Sequence, residues 1–298
     1  MKTKSYLLHI GFVLAAASML AVGAVVAVYA LSDAKLRSAR ADIVSFQFEE
    51  TTNPDVLERG RHVARTRGCF GCHGQQLQGS DFDKQWDWPK RAVAPNLARY
   101  ARENTAVAIE AAVRQGVGRN GAALTSMPSY NFARLSDDDL AALISFLRSA
   151  PVVDADLPAA ALGLAARWDL LTGSQPHMAA WADMAPNLKH DPTSNPQLAH
   201  GEYLAMTMCN ECHGLDVRGQ TFYRPYTPDL AMVAAIERNE FERIIKTGTG
   251  VDGRPLGLMR LVAPDRFPDL ADDEIDALYA YLSSLAEEPI PAKVFWRP

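Results

Sequence analysis

The sequence contains the pattern Cys-x-x-Cys-His twice, and this repeat constrains the fold more than any other feature. The first copy, CFGCH, covers residues 69–73, and the second copy, CNECH, covers residues 209–213. The chain has four cysteines, and all of them lie in these two copies. Since no cysteine is left over to crosslink loops, the pattern indicates two sites of the same chemistry instead of a disulfide scaffold.

Three kinds of site use closely spaced cysteines. A redox disulfide has a Cys-x-x-Cys pair beside a strand-helix-strand pattern, and no segment around residues 69 or 209 alternates like a strand. A structural zinc site usually draws its two cysteine pairs from closer positions, whereas a complete helical segment separates these two. Attachment of c-type haem fits best, because two thiols on one helical turn reach the two vinyl groups while the adjacent histidine faces the iron.

A second repeat supplies a candidate for the other iron ligand. The segments VRQGVGRNGAALTSMP, from residue 113, and IKTGTGVDGRPLGLMR, from residue 245, share three glycines and a methionine at identical spacing. Glycine allows a positive φ and a close approach of the backbone to a flat macrocycle, and the thioether of methionine is a soft ligand. A methionine is more often a core residue, but its recurrence in both copies predicts Met127 and Met259 as ligands.

The remainder of each copy predicts a small helical domain. Each copy opens with an Asn-Pro pair, which is typical of the capped start of a helix. Gly60 and Gly201 occupy matching places in these helices and predict a close crossing by residues 137–149 and 272–285. Both later segments carry acidic residues in the first turn and apolar residues at helical spacing.

The N-terminal segment predicts a membrane anchor. Residues 6–31 form an apolar stretch longer than the ~20 residues that a helix needs to cross a bilayer. The alternative is a cleaved signal peptide, with Lys2 and Lys4 as its basic region and VYA at 28–30 as a cleavage site. The apolar part of a signal peptide is usually only about 7–15 residues long. We therefore expect an uncleaved anchor at residues 5–31, followed by a linker at 32–53.

Together these motifs resemble two class I cytochrome c domains in tandem. The shared order is a first helix, Cys-x-x-Cys-His, a Pro-x-Leu segment at Pro95 and again at Pro228, a methionine loop and a last helix that crosses the first. The resemblance covers residues 54–150 and 196–298, with an interdomain linker at 151–195, and implies an all-α fold behind a transmembrane helix. It implies two covalently bound haem c groups, with thioethers to Cys69, Cys72, Cys209 and Cys212, proximal ligands His73 and His213, and distal ligands Met127 and Met259.

Some residues depart from this pattern or compete with it. The first copy carries the insert GSDFDKQWDWPKRAV before Pro95, and its Trp86 and Trp88 either shield a haem edge or simply pack. In the second copy Arg260 follows the methionine, where the first copy has Pro128. The linker is expected to contain an apolar helix near 155–174 that straps the domains together. It also holds rival iron ligands that we expect to be ordinary loop residues, namely His177, Met178, Met184 and His190.

The whole chain resembles the membrane-anchored dihaem cytochrome c subunits of periplasmic dehydrogenases. The resemblance implies haem domains in the periplasm, held by a single helix in the bacterial inner membrane. It also implies redox protein partners, with a dehydrogenase as donor and a cytochrome or oxidase as acceptor, and no nucleic-acid partner. Because His and Met fill both faces of each iron, we expect an electron carrier and not an enzyme. Two alternatives stay open, which are a cytochrome subunit of a terminal oxidase or other respiratory complex, and a dihaem cytochrome c peroxidase.

Overall fold

The computed structural model describes residues 2–39, 41, 46–84, 86, 88–220 and 227–289. An N-terminal helix, α1 (Lys2–Arg37), precedes two helical halves. Its segment His9–Arg37 is long and apolar enough to cross a membrane. The linker predicted at 32–53 and the end of the second domain, predicted at residue 298, lie partly outside the described residues.

The first half follows the predicted order of elements. A short antiparallel pair, β1 (Ser80–Asp81) with β2 (Val93–Ala94), joins the two ends of the insert, where the sequence predicted no strand. A 3-10 helix at Ser129–Asn131 follows the methionine loop. The helices are α2 (Pro54–Thr66), α3 (Cys69–His73), α4 (Leu97–Glu103), α5 (Ala106–Arg114) and α6 (Asp137–Ser149).

The second half repeats this order after a helical linker. Between the halves lie α7 (Leu164–Thr172) and α8 (Met178–Asp183). Two 3-10 helices cover Leu230–Ala235 and Leu285–Glu287. The helices of the second half are α9 (Pro196–Met208), α10 (Asn210–His213), α11 (Arg238–Thr247), α12 (Met259–Arg266) and α13 (Asp272–Ser284). The prediction of an all-α fold with two copies behind an N-terminal apolar helix is confirmed.

Each half is built on one close helix crossing, as the glycines predicted. In the first half α2 crosses α6, and a Cβ added to Gly60 would overlap the carbonyl oxygen of Ala142. In the second half α9 crosses α13, and a Cβ at Gly201 would overlap the carbonyl oxygen of Ala277. Since any larger side chain would push these helices apart, glycine is what permits both crossings.

The interdomain linker packs differently from the prediction. The expected helix is present as α7, but it packs against the end of α1. Arg167 holds this contact, because its Nη1 lies 2.6 Å from Asp33 Oδ1 and its guanidinium lies over the ring of Tyr29. It is α8 that contacts both halves, since its buried Met178 and Trp181 pack with residues from each, namely Tyr130 and Leu215.

Candidate functional site

The first Cys-x-x-Cys-His motif is positioned by a sharp turn after α2. Gly68 has a positive φ of 78°, a conformation that suits glycine, and it redirects the chain into the short helix α3. Within α3, Cys69 and Cys72 are three residues apart and therefore lie on the same side of one helical turn. Both are half-buried free thiols. This arrangement presents two sulfur atoms together, as attachment to two neighbouring vinyl groups requires.

His73 is prepared to act as a metal ligand. Its side chain is buried, and Nδ1–H donates a hydrogen bond to the carbonyl oxygen of Pro95 at 2.8 Å. Burial lowers the pKa of His73 to about 4, so the imidazole is neutral at ordinary pH. With the proton on Nδ1, the lone pair is on Nε2, which is the nitrogen available to a metal.

The second motif repeats this construction. His213 Nδ1–H donates to the carbonyl oxygen of Pro228 at 2.9 Å. The backbone after each histidine closes in the same way, because Gly79 N–H donates to His73 O at 2.8 Å and Gly219 N–H donates to His213 O at 2.7 Å. The sequence showed the two prolines as a matched Pro-x-Leu pair, but it did not show that their carbonyl groups orient the histidines.

The two methionine loops also share one backbone. In the first loop Leu124 N–H donates to Gly116 O at 2.7 Å, and in the second Leu256 N–H donates to Gly248 O at 2.9 Å. The first glycine of each loop has a positive φ, 66° in one and 64° in the other. The repeat seen in the sequence is therefore a repeat of local structure.

The structure brings each predicted distal ligand to the same core as its cysteine motif. Met127 and Cys69 both pack, half-buried, against the core of the first half. Met259 and Cys209 pack in the same way against the core of the second half. Each half thus brings the first cysteine of its motif and its methionine to one apolar core, and the assignment of the cysteines, histidines and methionines as haem ligands stays a prediction.

The rival ligands have other contacts. His177 Nδ1 accepts a hydrogen bond from Ala180 N at 3.1 Å, so this histidine caps the start of α8. His190 Nδ1 lies 3.0 Å from the buried carboxylate of Glu202. Met178 is buried in the cluster around α8, and Met184 is exposed.

The insert of the first half packs onto the linker. Trp88 Nε1–H donates to Asp169 Oδ2 of α7 at 3.1 Å. The ring centroids of Trp86 and Trp88 lie 6.4 Å apart. These contacts make the insert part of the support for α7, which favours the packing role over the haem-shielding role for Trp88.

The thiols do not have the properties of a redox pair. Burial raises the pKa of Cys69 to about 12, of Cys72 to about 11 and of Cys209 to about 12. Reactive cysteines in disulfide oxidoreductases instead have lowered pKa values. Within the described part of the chain, no group of three or more His, Cys, Asp or Glu side chains is placed to bind a bare metal ion. Of the three kinds of site considered, haem attachment fits these residues.

Comparison with known proteins supports the same interpretation. The profile of the cytochrome c family matches residues 57–151 and again residues 198–286. The chain is 31% identical over 184 residues to the cytochrome c subunit of a quinone alcohol dehydrogenase of Gluconobacter oxydans, which covers 57% of this chain and 38% of that protein. It is 24% identical over 293 residues to the gluconate 2-dehydrogenase cytochrome c subunit of Pantoea cypripedii, covering 83% of this chain and 63% of the relative.

An oxidase subunit is also similar, over a shorter range. The Cbb3-type cytochrome c oxidase subunit CcoP of Helicobacter pylori is 28% identical over 102 residues, or 34% of this chain and 30% of that protein. The chain spans less than two thirds of the length of each of these relatives.

Proposed function

The chain belongs to the cytochrome c family, and on that premise we propose that it is an electron-transfer subunit with one covalently bound haem c in each half. The observation that carries the proposal is the duplicated site, in which a paired Cys-x-x-Cys precedes a histidine fixed by a proline carbonyl. Haem c, when bound, supplies a one-electron couple.

Each half contributes a complete set of haem-binding residues. Cys69 and Cys72 hold one haem through thioethers and Cys209 and Cys212 hold the other, while His73 and His213 supply Nε2 as proximal ligand. Met127 and Met259 supply the distal sulfur. With a histidine and a methionine available to each haem iron, no position would be left for a substrate, and the chain would accept and pass electrons without catalysing a reaction on a small molecule.

The partner is a dehydrogenase in this proposal. The similarity to the gluconate dehydrogenase subunit extends over both halves, whereas the similarity to the oxidase subunit is confined to about one third of the chain. We therefore place the donor among periplasmic dehydrogenases and the acceptor in the respiratory chain, as a cytochrome or an oxidase. In this arrangement α1 crosses the bacterial inner membrane once, and both halves lie in the periplasm.

Contacts at the end of α1 support its retention as an anchor. Leu36 lies in a buried cluster with Leu170, and its carbonyl oxygen accepts a hydrogen bond from Ala123 N at 2.8 Å. Arg167 binds both Ser32 and Asp33. These contacts fix the end of the membrane helix onto α7 of the linker and onto the first half, so that the haem domains are held at a defined place near the bilayer.

The first test is a haem count on the purified full-length protein, followed by electron paramagnetic resonance of the oxidised and half-reduced states. We expect two haems per chain, two low-spin signals and no consumption of peroxide. A high-spin haem that develops on half-reduction and consumes peroxide would identify a peroxidase instead. The double variants C69A/C72A and C209A/C212A are a matched pair, and each is expected to retain one haem.

The dehydrogenase proposal has its own test. Membranes that contain the protein are given gluconate or a primary alcohol, and haem reduction is followed by absorbance. Reduction that depends on a co-purifying dehydrogenase supports the proposal. Co-purification with a terminal oxidase, with no reduction by either substrate, would favour the oxidase-subunit alternative.

A further inference from the structure

Arg266 lies between the two cysteine motifs. It belongs to α12 of the second half, yet its guanidinium packs against Gly68, directly before Cys69 of the first half, where an added Cβ would overlap it. Its Nη1 donates to Glu211 Oε2 at 2.8 Å, and Glu211 lies between the two cysteines of the second motif. One largely buried ion pair therefore contacts both motifs, with the side chains of Arg266 and Glu211 12% and 19% exposed.

Neighbouring hydrogen bonds hold this ion pair in place. Arg65, ahead of the first motif, donates from Nη1 to the carbonyl oxygen of Asp265 at 3.2 Å. Gln75, just after the motif, donates from Nε2 to Asp265 Oδ1 at 3.3 Å. Asp265, the residue before Arg266, is thus bound by one residue ahead of the first motif and one residue after it. These contacts fix the guanidinium relative to Cys69 and Cys72.

The charge of Arg266 reaches thiols of both halves. Before haem attachment, burial raises the pKa of the Cys69 and Cys209 thiols, and the positive charge of Arg266 acts in the opposite direction on each. Burial also opposes ionisation of Arg266, but the charge and hydrogen bond of Glu211 raise its pKa above the ordinary value. The Arg266 guanidinium is therefore always positively charged at its place between the two cysteine motifs.

We propose that the Arg266–Glu211 ion pair sets the reduction potentials at both motifs, with Arg266 raising them and Glu211 lowering them. Reduction adds one electron, and a fixed cation stabilises the reduced form, whereas a fixed anion stabilises the oxidised form. Because the pair is largely buried, water and salt screen its field less than they screen the field of a surface charge. This inference rests on the proposed function, since it requires a haem at each motif.

The sign of the effect distinguishes this role from a structural one. A buried ion pair contributes little net stability, and removal of either partner leaves an unpaired buried charge that destabilises the fold. A purely structural pair would therefore respond alike to loss of either residue. An electrostatic role requires that R266Q and E211Q shift the potentials in opposite directions.

The experiment is a redox titration of the full-length holoprotein, followed by visible absorbance, after the haem content of each variant has been measured. For R266Q we expect the equilibrium constant for haem reduction to fall about ten-fold, equivalent to about 59 mV for a one-electron couple. For E211Q we expect a rise of similar size, and R266K, which keeps the charge, should stay near the wild-type potentials.

The matched control is R61Q, which removes the same charge from an exposed ion pair. Arg61 Nη2 lies 2.7 Å from Glu58 Oε1, and both side chains are exposed. We expect its potentials to equal those of the wild type, since exposed charges are strongly screened. Equal shifts in R61Q and R266Q would overturn the proposal, and so would shifts of the same sign in R266Q and E211Q.

Haem content separates failure of this inference from failure of the proposed function. A wild-type chain with fewer than two haems would contradict the proposed function itself. Two haems with potentials that neither R266Q nor E211Q changes would overturn only the role of the ion pair. If R266Q does not load both haems, a raised potential in E211Q together with unchanged potentials in R266K supports the proposal, and unchanged potentials in E211Q overturn it.

Discussion

The two methionine loops have the same backbone, but different parts of the chain cover them. In the first half Gly116 lies against the backbone of Met178 and Ala179, which belong to α8 of the interdomain linker. In the second half the matching Gly248 lies against the backbone of Met259 and Arg260, at the start of α12. The comparison shows that a repeated motif specifies local geometry, whereas the packing around it depends on segments that are not repeated.

Because of this difference, the linker supports the first half more than the second. Met178 N–H donates to Leu124 O at 2.9 Å, which joins α8 to the first methionine loop. Arg134 donates to the carbonyl oxygens of Ala185 and Pro186 at 2.6 and 2.9 Å, which also fastens the segment just after α8 to the first half. The first site thus depends on the linker, while the second is supported by its own helix.

The largest expected effect tests whether the two loops supply equivalent ligands. M127A and M259A should each convert one haem to five-coordinate, high-spin iron and lower its potential by a substantial part of the ~0.8 V range that axial ligands span. Electron paramagnetic resonance and a redox titration measure both effects. A variant that keeps two low-spin signals with unchanged potentials would show that its methionine is not a ligand, and that the loops differ in function as well as in packing.

Loss of the Met178 side chain should affect the stability of the two halves unequally. Met178 is buried in the cluster around α8, so M178A is expected to lower the free energy of unfolding by about 2–5 kcal/mol. Met178 also packs with Leu215 of the second half, but because α8 covers the first loop, most of the loss should appear in unfolding of the first half, and only the potential of its haem should change. M184A is the matched control, since Met184 is exposed at the end of the same helix, and it should change stability little. An equal loss in both halves would contradict the unequal support by the linker.

The sequence predicts what is local and repeated, and it misses contacts between distant segments. The capped helices, the glycine crossings and the loop backbones are confirmed, because each depends on residue types at fixed spacing. The family matches confirm two cytochrome c domains and favour electron transfer. The packing of α7 on α1, the cover that α8 gives to Gly116 and the burial of Arg266 could not be predicted, because no local pattern records which distant segment will lie against a given residue.

The helix crossings provide a test of equivalence between the halves. G60A and G201A each force a methyl group against a backbone carbonyl oxygen, and overpacking of this kind is expected to cost about 1–3 kcal/mol. Denaturant unfolding of the two variants measures the two costs. Similar losses are expected, because the surroundings of the two glycines are nearly identical. If only one variant lost stability, the helix crossing in the other variant would be able to relax. The two cores would then differ in rigidity despite their similar structures.

The contact between the halves repeats the same positions with different chemistry. His62 of α2 lies with its Nε2 2.9 Å from Glu274 Oε1 of α13, and the matching Tyr203 of α9 donates from its hydroxyl to Asp139 of α6. Burial opposes ionisation of Asp139, but the Tyr203 hydroxyl and the nearby Arg67 and Arg59 outweigh it and hold its pKa below the ordinary value. For Glu274 burial is likewise outweighed, chiefly by the hydrogen bond with His62, and its pKa is also lowered.

The smallest expected effect is the pH dependence of this contact. Since both carboxyl groups have lowered pKa values in the folded chain, they stabilise it above their ordinary pKa values of 3.8 and 4.5, and the stabilisation is lost as the pH falls through the folded values. The free energy of unfolding should therefore fall as the pH is lowered from 6 to about 3 through these groups. D139N and E274Q should each flatten this dependence, whereas D138N, which changes an exposed acid on the same turn as Asp139, should not. A flattening by only one of the two variants would show that the halves contribute unequally to their shared interface.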